Sequence, residues 1–197
     1  MIKIVFATKN KNKIKEIQNL LPNKIELISL FDIECINEIP ETQNTIKGNA
    51  IQKANYIKSN YNLDCFADDT GLEINALNGE PGVLSARYAG YEKNSKKNIK
   101  KVLKNLKNKS NRRAQFKTVI AFHYKGKFLT FEGLCKGKII DKIKGNAGFG
   151  YDPIFIPDGS NKTFAELSVS EKNKISHRSI AFNKLIDYLN NLNNLIN

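Results

Sequence analysis

The chain has 197 residues, and its 32 lysines and arginines outnumber 19 acidic residues, which gives a formal net charge of +13 at pH 7. This length suits one domain, or one domain with two lobes, and the apolar runs are too short to cross a membrane. Three widely spaced cysteines without a CxxC pairing disfavour a disulfide framework and a zinc site. We therefore expect a cytoplasmic protein without a membrane partner, folded as one domain over residues 1–197.

Strand and helix patterns alternate along the chain, which predicts an α/β fold. The apolar residues 2–7 predict a strand, and the polar loop of residues 8–13 leads from it into a helix that ends at Pro22. Asn44 is expected to cap a second helix. The apolar face of that helix comprises Ile46, Ala50, Ala54 and Ile57.

The later part of the chain continues the alternation. Residues 63–67 predict a strand that runs into Asp68-Asp69-Thr70-Gly71, where a turn is permitted, and residues 116–124 and 128–131 predict two more strands. A C-terminal helix is expected over residues 178–192, and the asparagine-rich tail after it is expected to fray.

Much of the positive charge lies in residues 92–113, where lysines surround apolar residues with helical spacing. The lysines are Lys96, Lys97, Lys100, Lys101, Lys104, Lys107 and Lys109. Strong basicity is typical of nucleic-acid-binding proteins, but a surface helix with its lysines in water gives the same pattern. Because no RNA-binding or helix-turn-helix signature accompanies the lysines, we expect no specific nucleic-acid partner. A basic nucleic-acid-binding protein is retained as an alternative.

The loop after the first strand has the composition of a phosphate site. Backbone N–H groups and the helix dipole both attract an anion where a loop enters a helix, and a lysine adds a full charge. The residues concerned are Thr8, Lys9, Asn10, Lys11, Asn12 and Lys13. The loop lacks the P-loop and dinucleotide-binding patterns, so an ordinary polar connection is the alternative.

Acidic residues after the strand of residues 63–67 indicate a site for a hard metal ion. Asp68 and Asp69 follow that strand, and Glu41 lies upstream after Pro40. Buried carboxylates need a cation or hydrogen-bond donors, and magnesium prefers oxygen ligands. Adjacent residues of a regular strand point to opposite faces, so both aspartates can bind one ion only if the chain turns there. The alternative is an aspartate-rich turn that caps the next element.

A purine pocket is predicted from two segments in the last quarter of the chain. Aromatic rings can stack on a base, an acid and an arginine can hydrogen-bond its edge, and glycines allow the backbone to approach closely. The residues are Phe149, Gly150, Tyr151 and Asp152 in the first segment, and Lys172, His177 and Arg178 in the second. The alternative for the histidine is a core or surface residue without a role in binding.

These segments together resemble the Ham1 family, the inosine triphosphate pyrophosphatases, almost from end to end. The matching motifs are, in chain order, Ala7 to Lys13, Glu41 to Thr45, Asn49-Ala50 with Lys53, Ala67 to Leu72, Pro81-Gly82, Ser85 to Tyr88, Phe149 to Phe155, Lys162 to Glu166, Lys172-Asn173 and Ser176 to Arg178. Their order and spacing make the resemblance specific.

The resemblance implies hydrolysis of non-standard purine nucleoside triphosphates (ITP, dITP and XTP), which keeps them out of DNA and RNA. Water attacks the α-phosphorus in a magnesium-dependent reaction, with Mn²⁺ as an alternative ion, and the products are the nucleoside monophosphate and pyrophosphate. The implied fold is an elongated, two-lobed α/β structure. It has a long mixed central sheet flanked by helices, with the active site in the cleft between the lobes. Relatives of this kind are homodimers.

The resemblance also implies a role for each site residue. Asp69 is the general base and a metal ligand, with Glu41 and Asp68 as the other metal carboxylates. Lys13 and Lys53 neutralise the departing pyrophosphate. The further substrate contacts come from Thr70 at the phosphates and, around the base and sugar, from Phe149, Asp152, Lys172, His177 and Arg178.

A hypothesis for base selection follows from the donors of Arg178. Hypoxanthine and xanthine carry an oxygen at position 6, where adenine carries an amino group, so an arginine donor is satisfied only by the first two. A site that requires such a hydrogen bond rejects a base that lacks the acceptor by about 10⁴-fold.

Three positions depart from the family pattern. Asn12 and Gln43 stand where glycine is common, and Gly48 stands where glutamate is common. The missing acid at position 48 places more of the metal binding on Glu41 and Asp69. A Maf-type nucleotide pyrophosphatase is the nearer alternative to the Ham1 assignment, and the complete FGYDPIF and SHR motifs weigh against it.

Overall fold

The computed structural model describes the backbone of residues 2–194, and this part of the chain forms a sheet of six strands flanked by five α-helices. The strands are β1 (Ile2–Phe6), β2 (Ile25–Ile28), β3 (Cys65–Ile74), β4 (Arg113–Tyr124), β5 (Lys127–Ile139) and β6 (Phe155–Pro157). The helices are α1 (Lys11–Gln18), α2 (Ile46–Tyr61), α3 (Ser95–Asn105), α4 (Val169–Ile175) and α5 (His177–Asn194). The expected α/β fold is confirmed.

The sheet is mixed, and its strand order is β2-β1-β3-β4-β5-β6. Strand β1 runs parallel to β2 and to β3, whereas β6 runs antiparallel to β5. In the β1–β3 pair, Val5 lies opposite Cys65 and Phe6 opposite Phe66. Strand β1 therefore ends where β3 continues, and this register brings the aspartates of β3 beside the loop that follows β1.

The described residues divide into two compact units. Unit 1 comprises the chain up to Asp69, the segment Thr118–Gly133 and the chain from Arg178 onward, and its core packs around Phe66. Unit 2 comprises Thr70–Lys117 and Leu134–His177, and its core includes Phe155. Strands β3, β4 and β5 each contribute residues to both units.

Two helix starts differ from the sequence prediction. Thr45, not Asn44, caps α2, because its Oγ1 accepts a hydrogen bond from Gly48 N at 2.9 Å. Helix α1 begins inside the predicted loop, at Lys11, because the Asn10 side chain caps it. Side-chain capping thus determines where both helices begin, and hydrophobic spacing alone does not predict these positions.

The turn that Thr70-Gly71 would permit does not form, because β3 continues through both residues to Ile74. Leu72 and Ile74, beyond the glycine, are fully buried in the core of unit 2. Their burial extends the strand past residues that favour a turn in isolation. Strands β2 and β6 and helix α4 were not predicted, since each is shorter than a clear periodic pattern requires.

The lysine-rich segment forms the predicted surface helix, α3. Ile99, Val102 and Leu106 are buried, whereas the lysines around them are exposed. The C-terminal helix is also confirmed as α5, and the last three residues of the asparagine-rich tail lie outside the described part of the chain. All three cysteines are free and buried. No helix within residues 2–194 has the length and apolar character that a membrane span requires.

Candidate active site

The predicted phosphate loop, residues 8–13, ends in a capped helix. Asn10 Oδ1 accepts hydrogen bonds from Asn12 N at 3.0 Å and from Lys13 N at 3.3 Å. Thr8 Oγ1 accepts from Asn10 N at 3.2 Å. Two N–H groups of the first helical turn, those of Asn12 and Lys13, are thus already hydrogen-bonded within the protein. The attraction for an anion here therefore comes mainly from lysines.

The three lysines of this loop have different environments. Lys9 Nζ donates to two backbone oxygens, Ile36 O at 2.7 Å and Asn37 O at 3.1 Å. These hydrogen bonds link the loop after β1 to the segment after β2. Lys11 is exposed to solvent. Lys13 points towards β3, and its Nζ lies 2.9 Å from Asp68 Oδ1. Of the three, Lys13 is the one built into a charged cluster.

Asp68 is buried between cations. Besides Lys13, its carboxylate faces the Arg178 guanidinium, with Nε 3.6 Å from Oδ2, and Arg178 forms a further ion pair with Glu16 of α1. Burial alone would raise the pKa of Asp68, but Lys13 and Arg178 outweigh it and lower that pKa to about 2. Burial lowers the pKa of Lys13, against the opposing effect of Asp68. Asp68 is therefore ionised and holds both cations in place.

Asp69, the next residue, has different partners. Its Oδ2 accepts a hydrogen bond from Asn49 Nδ2 at 3.3 Å, and its Oδ1 lies 3.9 Å from Lys53 Nζ. The same Nζ lies 2.5 Å from Glu41 Oε1. Burial raises the pKa of Asp69. Burial also disfavours the charged form of Lys53, but Asp69 and Glu41 outweigh it and raise the pKa of that lysine.

The two aspartates thus belong to two different clusters, Asp68 with Lys13 and Arg178, and Asp69 with Asn49 and Lys53. This separation follows from the regular strand, in which adjacent side chains point to opposite faces. Within residues 2–194, no group of three His, Cys, Asp or Glu side chains is placed to hold a metal ion. Two carboxylates, Glu41 and Asp69, converge on the Lys53 ammonium. A pair of carboxylates that shares one cation fits magnesium, which proteins hold through one or two carboxylates plus substrate phosphates.

Two of the departures from the family pattern, Gln43 and Gly48, are in contact. A Cβ added to Gly48 would lie 2.8 Å from Gln43 Cβ and 2.9 Å from Thr45 Oγ1. The Gln43 side chain therefore fills the space that a side chain at position 48 would need. The two departures compensate for each other sterically.

In unit 2, the predicted base-binding segment is organised around Asp152. Asp152 Oδ2 accepts hydrogen bonds from Lys172 Nζ at 2.8 Å and from Phe149 N at 2.9 Å. Gly148 lies against the same carboxylate, and a Cβ there would collide with Oδ2. Phe149 is half-buried, and Lys172 Nζ lies 5.5 Å from its ring centroid. The ring is thus oriented beside a cation.

Other predicted residues of unit 2 lie deeper. Tyr151 is buried, its hydroxyl donates to Ser85 O at 2.8 Å, and burial raises its pKa. Its ring belongs to the apolar core rather than to an open surface. His177 is also buried and stacks on Phe116, with centroids 4.5 Å apart. Thr70, at the start of unit 2, is half-buried on β3.

The sequence prediction missed the role of two residues. Asn49 donates a hydrogen bond to Asp69. The sequence feature that could have indicated this role is an asparagine on the apolar face of α2. Glu16 pairs with Arg178, and the signal was its position one helical turn after Lys13 on α1. The partner of Glu16 could not be deduced, because it lies 162 residues away in the chain.

The chain is similar in sequence and in fold to known proteins. A sequence model of the Ham1 family matches residues 4–188. A dITP/XTP pyrophosphatase of Flavobacterium johnsoniae is 57% identical over 188 residues, which are 95% of this chain and 98% of that protein. A dITP/XTP pyrophosphatase of Flavobacterium psychrophilum is 55% identical over 96% of this chain and 100% of that protein. The solved structure of a HAM1 protein from Coxiella burnetii matches with a TM-score of 0.90 and 40% identity, over 97% of this chain and 100% of that chain.

Proposed function

The chain belongs to the Ham1 family, and we propose that it hydrolyses non-standard purine nucleoside triphosphates to the monophosphate and pyrophosphate. dITP, XTP and ITP are the proposed substrates, and residues 1–197 act as one pyrophosphatase domain. The observation that carries the proposal is the convergence of Glu41 and Asp69 on one ammonium group, Lys53. Membership of the Ham1 family also decides against the Maf-type alternative.

The proposed chemistry of unit 1 begins with Asp69. Its carboxylate accepts a proton from the water that attacks the α-phosphorus, and the bond to the bridging oxygen of pyrophosphate breaks. Burial raises the pKa of Asp69 and so makes it a stronger base than an exposed aspartate. Asn49 holds the carboxylate in one orientation through its hydrogen bond to Oδ2.

Glu41 and Asp69 would hold a magnesium ion, which lowers the pKa of bound water and offsets charge on phosphoryl oxygens. Asp68 is the third proposed metal carboxylate, and in the structure it pairs with Lys13 and Arg178, in a cluster separate from that of Glu41 and Asp69. Lys13 and Lys53 are the cations that neutralise the departing pyrophosphate. Because both ammonium groups are already buried against carboxylates, little side-chain entropy is lost when phosphate binds.

The proposed task of unit 2 is recognition of the base. The half-buried ring of Phe149 offers a face for stacking, and Lys172 and Asp152 hold the loop that carries it. His177 and Thr70 are proposed as further substrate contacts. Tyr151 contributes by anchoring the loop to Ser85 rather than by stacking. Arg178, which belongs to unit 1, is the proposed donor to the base oxygen at position 6.

Two further proposals concern assembly and location, and the first rests on the family resemblance. The protein works as a homodimer in the cytoplasm, where nucleotide pools are maintained. Size-exclusion chromatography with light scattering measures the first directly, and a mass of one chain, 22.3 kDa, contradicts it.

The test of the proposed function is release of pyrophosphate from a panel of triphosphates. ITP, dITP, XTP, ATP and GTP are each supplied with magnesium, with manganese and with a chelator. We expect hydrolysis of the first three with a divalent ion, and a kcat/KM for ATP at least about 100-fold lower. Equal rates on ATP and ITP would overturn the specificity, and no release from any nucleotide would overturn the enzyme assignment.

A further inference from the structure

The positive charge of the chain is concentrated in one segment of unit 2. Residues 93–117 contain eleven lysines and arginines and no acidic residue, which leaves 21 basic and 19 acidic residues in the rest of the chain. A general compositional bias would spread the excess along the chain. The segment instead accounts for nearly all of the net charge, which is typical of a surface that binds a polyanion.

Part of this charge is neutralised by acids from outside the segment. Lys97 pairs with Glu92 at 2.5 Å, and Arg113 pairs with Asp158 at 2.8 Å. Six other lysines are exposed and have no carboxylate within 4 Å among the described residues. These six, here called the lysine surface, are Lys93, Lys96, Lys100, Lys104, Lys107 and Lys109.

Helix geometry aligns the lysine surface. Lys96, Lys100 and Lys104 follow one another at intervals of four residues on α3, so they share a face and extend over about 12 Å. The opposite face is buried through Ile99 and Val102. Like charges at this spacing weaken a helix, and surface helices usually relieve them with glutamate at the intervening positions. Here that relief is absent from the sequence of the helix, SKKNIKKVLKN.

Two features beside the lysines suit a nucleotide chain. Tyr91, just before α3, is 92% exposed, which is unusual for an aromatic ring in a folded protein. The C-terminal end of the surface borders a cavity of about 500 Å³, whose lining includes Lys104, Lys107 and Lys109. Proteins that bind single-stranded nucleic acid combine lysines along the backbone with an aromatic ring on which a base stacks.

We propose that the lysine surface and Tyr91 bind single-stranded nucleic acid without sequence preference, as a second function separate from nucleotide hydrolysis. The lysines contact phosphates along the strand, whose backbone follows the row of lysines on α3. Tyr91 stacks on one base. An anionic membrane is the less favoured partner, because the apolar residues of α3 face the core and leave none to enter a bilayer.

The test uses the full chain and fluorescence anisotropy with labelled 20-nucleotide RNA and DNA strands. The variant Lys96→Gln/Lys100→Gln/Lys104→Gln removes three charges and keeps helix propensity. A matched control, Lys24→Gln/Lys127→Gln/Lys138→Gln, removes three exposed lysines elsewhere. We expect the α3 variant to bind at least about tenfold more weakly. Its slope of log affinity against log salt should be smaller in magnitude by about 2, because each phosphate contact contributes about 0.7.

The other arms separate the possible outcomes. The control variant should bind within about threefold of the unaltered protein, and Tyr91→Ala should lose about fivefold or more for single strands but not for duplex. Both triple variants should hydrolyse dITP at an unchanged rate, which also shows that they fold. Equal weakening by both triple variants, or binding to phosphatidylserine vesicles but not to oligonucleotides, would overturn the proposal.

Discussion

Asn49 of helix α2 donates a hydrogen bond from Nδ2 to Oδ2 of Asp69 on strand β3, across 3.3 Å. The other end of the same amide, Oδ1, accepts from Gln43 N at 2.9 Å. A single buried side chain thus joins the segment that carries Glu41 to the proposed catalytic base. The Asn49 amide therefore helps to set the position of Glu41 relative to Asp69.

Replacing Asn49 by alanine should therefore reduce kcat more than it raises KM. Asp69 would lose a buried partner, which costs about 1–3 kcal/mol, and its carboxylate would lose its fixed orientation, while the exposed Gln43 would lose the acceptor of its backbone N–H. We expect kcat for dITP to fall at least about tenfold. Asn49→Gln, which keeps the amide but displaces it, serves as the comparison. An alanine variant with kcat within twofold of the unaltered protein would exclude a positioning role.

Asp69→Asn should abolish turnover while the fold remains intact. Loss of a general base typically lowers the rate by about 10²–10⁴-fold, and the amide also removes a proposed metal ligand. Because burial raises the pKa of Asp69, its charged form is disfavoured in the folded protein, and the neutral amide should not lower the melting temperature. Steady-state kinetics and thermal unfolding measure the two effects. Near-normal hydrolysis of dITP by this variant would remove Asp69 from the mechanism.

Asp68→Asn provides the contrast at the adjacent position, because the shift of its pKa has the opposite sign. Asp68 titrates at about 2 in the folded protein against an ordinary value of 3.8. A lowered folded pKa means that the stabilisation is fully present above about pH 4 and is lost as the pH falls towards 2. This stabilisation is about 2 kcal/mol, and the substitution would also leave Lys13 and Arg178 without their shared carboxylate.

The measurement is urea unfolding of both proteins between pH 7 and pH 2. The unaltered protein should be more stable at neutral pH, and the difference should shrink as the pH falls below 4. A difference that stays constant across this range would mean that Asp68 is not ionised against its two cations.

Sequence predicted the elements whose signal is local. The apolar run of β1, the buried face of α2 and the lysine-covered α3 each have a periodic pattern, and each is present in the structure. The acids and lysines of the site stand in contiguous motifs, and the structure brings Glu41, Lys53 and Asp69 together. Patterns over a few residues were sufficient for these features.

The features that sequence missed depend on distant partners. Strand β3 passes through Thr70 and Gly71 because Leu72 and Ile74 are buried in a core formed by other segments. The pairing of Arg178 with Glu16 joins the two ends of the chain, and neither residue type indicates the other. The assignment of Asp68 and Asp69 to separate clusters followed from the strand continuing, which local turn propensity did not predict.

The contact between Gln43 and Gly48 predicts coupled mutations. Alanine in place of glycine inside a helix usually stabilises it by about 1 kcal/mol. At position 48 the added Cβ would meet the Gln43 side chain at 2.8 Å, so Gly48→Ala should give no gain or a loss. After Gln43→Gly has removed that contact, the same substitution should be less unfavourable, because only the close approach to Thr45 Oγ1 at 2.9 Å remains. A double-mutant cycle by thermal unfolding should show a coupling of at least about 0.5 kcal/mol, and additive effects would contradict the contact.

Phe149 should control binding of the base rather than the chemical step. Its half-buried ring lies beside Lys172, in unit 2. Asp69, the proposed general base, and Glu41, the other proposed metal ligand, belong to unit 1. Stacking on a base contributes about 1–3 kcal/mol, so Phe149→Ala should raise KM for dITP by about 5-fold or more and change kcat much less. Phe149→Tyr keeps the aromatic face and should leave KM within about threefold. If the alanine variant lowers kcat at unchanged KM, the ring acts on the phosphates or the fold, and its assignment to the base is wrong.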